Sequence, residues 1–197
     1  LLPGSVATIN GSTFSYDVRG MGTASGAYPG EFTVPVLRLI RVVIAHAQEQ
    51  PWGCCGPVLH LFSGASVLGD WRIDLSHDAA TIKADVFEWI KTIEAQRPWS
   101  VVLLDPPYEL STQKKHAIGY PAAGSRPLST SVPNRRVFAA WARANVCSLL
   151  WLDACAPRPT GFDRAAMYTL LPGGYHRVRI LSFLVNRDAA AIAARAT

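Results

Sequence analysis

The run Val101-Val102-Leu103-Leu104 stops abruptly at Asp105-Pro106-Pro107-Tyr108. Four consecutive apolar residues, two of them β-branched, read as a strand buried on both faces. Two prolines in succession cannot extend that strand, because neither carries a backbone donor. The acid, the turn and the aromatic ring are therefore delivered at the carboxyl end of a strand. In an open α/β sheet that is the edge where ligands bind.

Segments on either side of the run set the fold class. Val58–Phe62, Trp71–Leu75, Thr81–Asp85 and Ser148–Leu152 read as further strands, and a short one is expected at Thr13–Val18. Helical periodicity runs through Pro35–Ala47 after a Thr33 cap, through Val86–Ala95, and through Val137–Val146 after an Asn134 cap. Met167–Leu171 and Val178–Leu184 flank Pro172-Gly173-Gly174-Tyr175 as a hairpin, and the alanine-rich end suits a short helix. The expected fold is α/β, a Rossmann-like, mainly parallel sheet with a C-terminal antiparallel hairpin. Helices are reduced after the first strand of the parallel series and before the hairpin. Nine residues separate Gly64 from Asp74, and Pro157 and Pro159 interrupt Asp153–Asp163. Neither stretch accommodates a full helix. Residues 1–197 are expected to form one domain, with 109–134 as a substrate loop.

With 49% hydrophobic and 17% charged residues, the chain falls outside the disordered class. A net charge of +5 permits an acidic partner without requiring one. No apolar stretch is long enough to span a membrane, and Leu1-Leu2-Pro3-Gly4 has no signal-peptide form. A cytoplasmic location follows as the expectation. Cys54, Cys55, Cys147 and Cys155 lack zinc-site spacing, so no metal is expected.

Four pieces meet at the carboxyl edge of such a sheet. Ser63-Gly64-Ala65 forms a small-residue turn that lets backbone approach a bulky ligand. Asp74 ends the next strand, where an acid can accept ribose hydroxyls. Asp85 can accept from an adenine amino group while the Val86 backbone donates, although Asp85 equally suits a helix cap. Asp105–Tyr108 supplies the reacting side.

This order of residues resembles the class I methyltransferases that use S-adenosylmethionine. It resembles most the amino-methyltransferases of DNA and RNA that carry Asp-Pro-Pro-Tyr. The upstream Tyr28-Pro29-Gly30-Glu31-Phe32 resembles that family's aromatic-Pro-x-x-Phe segment. The resemblance covers residues 28–152. It implies that Phe32, Ser63, Gly64, Ala65, Asp74, Asp85 and Val86 hold S-adenosylmethionine, and that Asp105, Pro106, Pro107 and Tyr108 grip the target base. The implied reaction methylates adenine N6 in DNA. The same reaction on RNA, at adenine N6 or guanine N2, and a catalytically silent nucleic-acid-binding subunit are the alternatives. Lys114, Lys115, Arg126, Arg135 and Arg136 are the expected phosphate contacts, with His176, Arg177 and Arg179 extending the patch. The chain has no room for a separate recognition domain. Sequence specificity is then expected from the 109–134 loop, a homodimer or partner subunit, or RNA shape.

Overall fold

The computed structural model describes residues 4–9, 12–20, 32–52, 56–106, 128, 131–171 and 178–196. Nine strands form one sheet: β1 (Ser5–Ile9), β2 (Ser12–Gly20), β3 (Val58–Leu61), β4 (Trp71–Asp74), β5 (Ile82–Lys83), β6 (Trp99–Leu104), β7 (Val146–Asp153), β8 (Phe162–Leu171) and β9 (Arg179–Asn186). Their order is β1-β2-β8-β9-β7-β6-β3-β4-β5. The helices are α1 (Val34–Gln48), α2 (Val86–Trp89), α3 (Val132–Asn145) and α4 (Ala189–Ala193).

Strands β5, β4, β3, β6 and β7 pair in parallel. Counted along the chain, this core has the 3-2-1-4-5 order of a doubly wound sheet, whose direction of winding reverses between β3 and β6. β9 is antiparallel to both β7 and β8, and β8 is parallel to β2. The carboxyl ends of β2, β8, β7, β6, β3, β4 and β5 therefore share one edge, while β9 starts there. The expected mainly parallel α/β sheet with a terminal hairpin is the observed one.

Buried strands follow from their residues. All six residues of β6 and all eight of β7 are buried, as uninterrupted apolar runs covered on both faces require. One face packs Leu61, Val102, Leu104, Leu149 and Trp151 against α2 and α3. The other packs Val101, Leu103, Leu150, Leu181 and Phe183 against α1.

No helix fills the β3–β4 connection. Its short loop is held by side chains instead. Asp70 Oδ2 accepts from the Val58 N–H at 2.8 Å. Arg72 donates to the Gly69 and Ala79 carbonyls at 3.0 and 2.9 Å. Gly69 takes φ +90°, with the His60 Cβ and the Val58 carbonyl close to where a side chain would start. The β7–β8 connection is likewise free of helix.

Three local readings are corrected. The single short strand expected at Thr13–Val18 is the centre of β2, which forms an antiparallel hairpin with β1. α3 is capped by Ser131, whose Oγ accepts from the Asn134 N–H at 3.4 Å, so Asn134 lies inside the first turn together with Pro133. The helix expected over Val86–Ala95 ends after one turn, at α2.

Candidate functional site

The site begins where β3 ends. Phe62 takes φ +59° and Gly64 φ +50°, so two left-handed residues turn the chain sharply off the sheet. The turn closes with the Ser66 N–H donating to the Ser63 carbonyl at 2.9 Å. Ser63 is buried, yet its Oγ has no hydrogen-bond partner.

Asp74 ends β4 and ties this turn to its own loop. Its Oδ2 accepts from the Gly64 N–H at 2.9 Å. Its Oδ1 accepts from the Ser76 and His77 N–H groups at 3.1 and 3.0 Å. A carboxylate offers about four acceptor positions. Three are occupied by backbone, leaving room on Oδ2 for one further donor.

Asp85 caps α2, with Oδ1 accepting from the Phe87 and Glu88 N–H groups at 2.9 and 3.2 Å. The Val86 side chain is buried in the core. Capping is thus an observed role of Asp85; a contact to adenine would be additional.

Across the β3/β6 switch point stands Asp105, directly after Leu104. Strand alternation places its side chain on the α1 face, with Leu103. Arg179, the first residue of β9, lies on that face too. Its Nη1 is 3.8 Å from Asp105 Oδ2, and both side chains are largely sequestered, at 22% and 15% exposure. Pro106 is buried. Pro107, Tyr108, Lys114, Lys115 and Arg126 lie outside the described residues, as do His176 and Arg177.

Phe32 enters the same face immediately before α1. Its ring stacks on His60 at 6.0 Å between centroids and 11° between planes. His60 is fully buried in β3, and neither ring nitrogen meets a partner at hydrogen-bond geometry. Burial pushes its pKa down to about 3; the Leu68 backbone and Asp74 oppose the shift, and Arg72 assists it. The Thr33 Oγ1, beside Phe32, is also buried without a partner. Thr33 and His60 thus bring unpaired polar atoms to one end of the α1 face, and Ser63 brings another to the turn at the same edge of the sheet.

Arg135 and Arg136 are exposed on α3. α3 packs against the opposite face of the sheet from Asp105, so these two arginines are not brought together with it. Two further residues of the edge, His60 and Asp153, have no place at the site in the sequence reading. His60 is the lone polar residue of Val58–Phe62. Asp153 ends β7 as Asp105 ends β6; it is buried, and burial pushes its carboxyl pKa upward although the Ala154 and Cys155 backbone and the Trp151 indole favour the anion. Asp153 alternates onto the α3 face, away from Asp105. Arg179 was expected among the phosphate contacts, and its ion pair with Asp105 has no local sequence signal, because 73 residues of chain lie between them.

No family model matches the chain, and no curated protein matches it. Geometry and chemistry therefore carry the functional reading.

Proposed function

We propose that this protein transfers a methyl group from S-adenosylmethionine to an exocyclic amino nitrogen of a nucleic-acid base, with adenine N6 in DNA as the leading substrate. One observation carries the reading. Asp105 leaves β6 beside the Ser63–Gly64 turn of β3, at the switch point, on the face that also holds Phe32 and His60. A carboxylate next to a tight, small-residue turn at that point suits amine methylation, since it can orient the N–H bonds beside a bound methyl donor.

The residues fit the cofactor on structural grounds. Buried, unpaired Ser63 Oγ and Thr33 Oγ1 call for polar partners. The left-handed Gly64 lets its backbone approach a ligand. Asp74 retains one acceptor position for a ribose hydroxyl. Bound there, the cofactor supplies an electrophilic methyl group.

The chain's own residues would do the rest. An aromatic amine is a weak nucleophile because its lone pair is delocalised into the ring. Asp105 accepts one N–H and the Pro106 carbonyl accepts the other. Both bonds strengthen as positive charge develops on nitrogen, so they favour the transition state over the ground state. The proton then leaves the methylated nitrogen by way of the carboxylate to water. A base in a duplex must first leave the stack for its amine to reach this edge.

A catalytically silent, nucleic-acid-binding role is the second reading. Two observations favour it: Asp74 is already engaged by three backbone donors, and Arg179 stands against Asp105.

Incubation with S-adenosylmethionine labelled on the methyl group, with DNA and RNA pools and nucleoside analysis of the product, separates the two. Asp105→Asn is expected to lower the rate by about 10²–10³-fold while cofactor binding persists, the size of effect seen when one electrostatic contact to a transition state is removed. An unchanged rate removes Asp105 from the reaction. Wild-type protein that binds nucleic acid but no S-adenosylmethionine supports the silent reading.

A further inference from the structure

The carboxyl edge continues past Asp105 along the α1 face as a row of cations. Arg179 of β9 pairs with Leu170 of β8, and Leu170 pairs with Arg19 of β2. Residues paired across strands point to the same face, and Leu170 belongs to the α1-side core. Arg179 and Arg19 thus stand on one face, two strand spacings or about 10 Å apart. At the Arg19 end of this row lies a cleft of about 380 Å³ between the ends of β2 and β8 and the first turns of α1. Arg19 and Arg38 flank it, with Pro35, Val42 and Leu170 among its apolar walls.

Charge is one-sided here. α1 carries Arg38 and Arg41 and no acidic residue. Asp17 is engaged by Arg19 at 2.6 Å, yet the Arg19 side chain stays 46% exposed. An arginine has five donors, so one carboxylate leaves most of its fork available. Beneath the row, Tyr168 is buried and its hydroxyl has no partner; burial pushes its pKa up to about 12, with Arg19 and Asp17 the charges it feels. A polar group with an unfilled bond thus underlies a cationic cleft.

We infer that this cleft is the path of a single nucleic-acid strand, with Arg179, Arg38 and Arg19 meeting successive phosphates beside the base presented to Asp105. The proposal deepens the methyltransferase reading and rests on it for the role of Asp105. A row of about 10 Å spans about three intervals at the ~3.4 Å rise of a stacked strand, room enough for three arginines to meet phosphates of one strand. The apolar walls suit the faces of bases, as single-strand grooves do. The path differs from the one expected through Arg135 and Arg136, which lie on the other face. It also gives the loose Asp105–Arg179 pair a role. An incoming phosphate takes the guanidinium, and Asp105 turns to the amine.

The test is fluorescence anisotropy with a labelled 12-nucleotide single-stranded DNA, titrated between 50 and 300 mM salt. Arg19→Gln/Arg38→Gln is expected to bind about tenfold or more weakly near 0.1 M salt, and its log–log salt slope is expected to fall by about 1.4, two contacts at ~0.7 each. Arg135→Gln/Arg136→Gln is expected to match wild type. Arg38→Gln alone alters one exposed helix position and keeps the test valid if the double variant melts early. RNA of the same sequence with the same arginine dependence supports the cleft and moves the substrate to RNA. Unchanged affinity and slope in the Arg19/Arg38 variants overturn the inference, as does loss of binding confined to the Arg135/Arg136 variant. Strand binding that depends on the cleft, without methyl transfer, removes the proposed reaction but leaves the cleft standing.

Discussion

His60 makes the protein's stability depend on pH in a way that one substitution isolates. The imidazole is fully buried, neither nitrogen makes a hydrogen bond of good geometry, and burial pushes its pKa down from 6.5 to about 3 against the opposing Leu68 backbone. The unfolded chain takes up a proton at this residue below pH 6.5, whereas the folded chain resists until about pH 3. Between those values the unfolded state holds more protons, so stability falls as pH falls. The contribution is fully present above 6.5 and is lost progressively toward 3. At about 1.36 kcal/mol per unit, lowering the pH from 7.5 to 6.0 costs about 1 kcal/mol, and lowering it to 4.5 costs about 2–3 kcal/mol.

His60→Leu removes this titration and keeps an apolar side chain of comparable size in β3. At pH 7.5 two effects oppose each other. The variant loses the stacking of imidazole on Phe32, a contact of about 0.5–1.5 kcal/mol for an aromatic pair. It also relieves two buried nitrogens without partners, which favours leucine by a similar amount. The two proteins should therefore be nearly equal at pH 7.5, and the variant more stable by about 2–3 kcal/mol at pH 4.5. Urea unfolding followed by tryptophan fluorescence at pH 7.5, 6.0 and 4.5 measures the difference directly. The remaining histidines are common to both proteins and cancel. Parallel stability profiles, with the gap constant to within about 0.5 kcal/mol, would refute the claim that His60 is buried neutral and unpaired.

Two further outcomes test how the edge is held. Asp74→Ala deprives Gly64 and His77 of acceptors at partly buried positions, and at about 1–2 kcal/mol for each it should destabilise the fold by about 2–4 kcal/mol in urea unfolding. A loss below about 0.5 kcal/mol would leave Asp74 a ligand acid with no bracing role. Asn186 Nδ2 donates to the Arg143 and Val146 carbonyls at 3.0 and 2.8 Å, where α3 runs into β7. Asn186→Ala should cost about 2–3 kcal/mol, and hydrogen exchange should rise first at that junction.

The strands of the core were legible because each is an apolar run bounded by turn residues. The observed strands are longer than the apolar runs Val101–Leu104 and Ser148–Leu152, by two and three residues. Trp99-Ser100 extends the first, since Ser100 stays buried and its Oγ reaches the Pro57 carbonyl. The end of α2 was not legible. Periodicity continues through Ile90 and Ile93, but Ile93 is 82% exposed. The Ala95 carbonyl instead accepts from two indoles, Trp99 Nε1 at 3.1 Å and Trp141 Nε1 at 3.0 Å. Those donors come from β6 and α3, so tertiary structure overrides a local helical signal. The β1–β2 hairpin was muted for a different reason. Thr13–Arg19 alternates polar and apolar residues and so reads as a strand, whereas Ser5–Ile9, with Val6-Ala7 adjacent, lacks the alternation that marks a half-buried strand.

The same contrast divides the candidate site. Asp105 could be placed from sequence because the prolines behind it leave the chain no other course than a strand end. Asp74 stands at a strand end as read, and one of its three bonds, from the Gly64 N–H, ties down the helix-free β3–β4 connection, while the other two hold the β4–β5 loop. A full β3–β4 helix would satisfy its own backbone. A nine-residue connection cannot, so Arg72 donates to the Gly69 carbonyl and Asp74 accepts from the Gly64 N–H. The shortening therefore has a chemical consequence. On the proposed reading, Asp74 has a single acceptor position remaining, so S-adenosylmethionine affinity should depend more on Ser63 and Thr33 than on Asp74. Comparing Ser63→Ala with Asp74→Asn in cofactor binding follows directly from that argument, and a much larger loss in the aspartate variant, after correction for its stability, would reverse it.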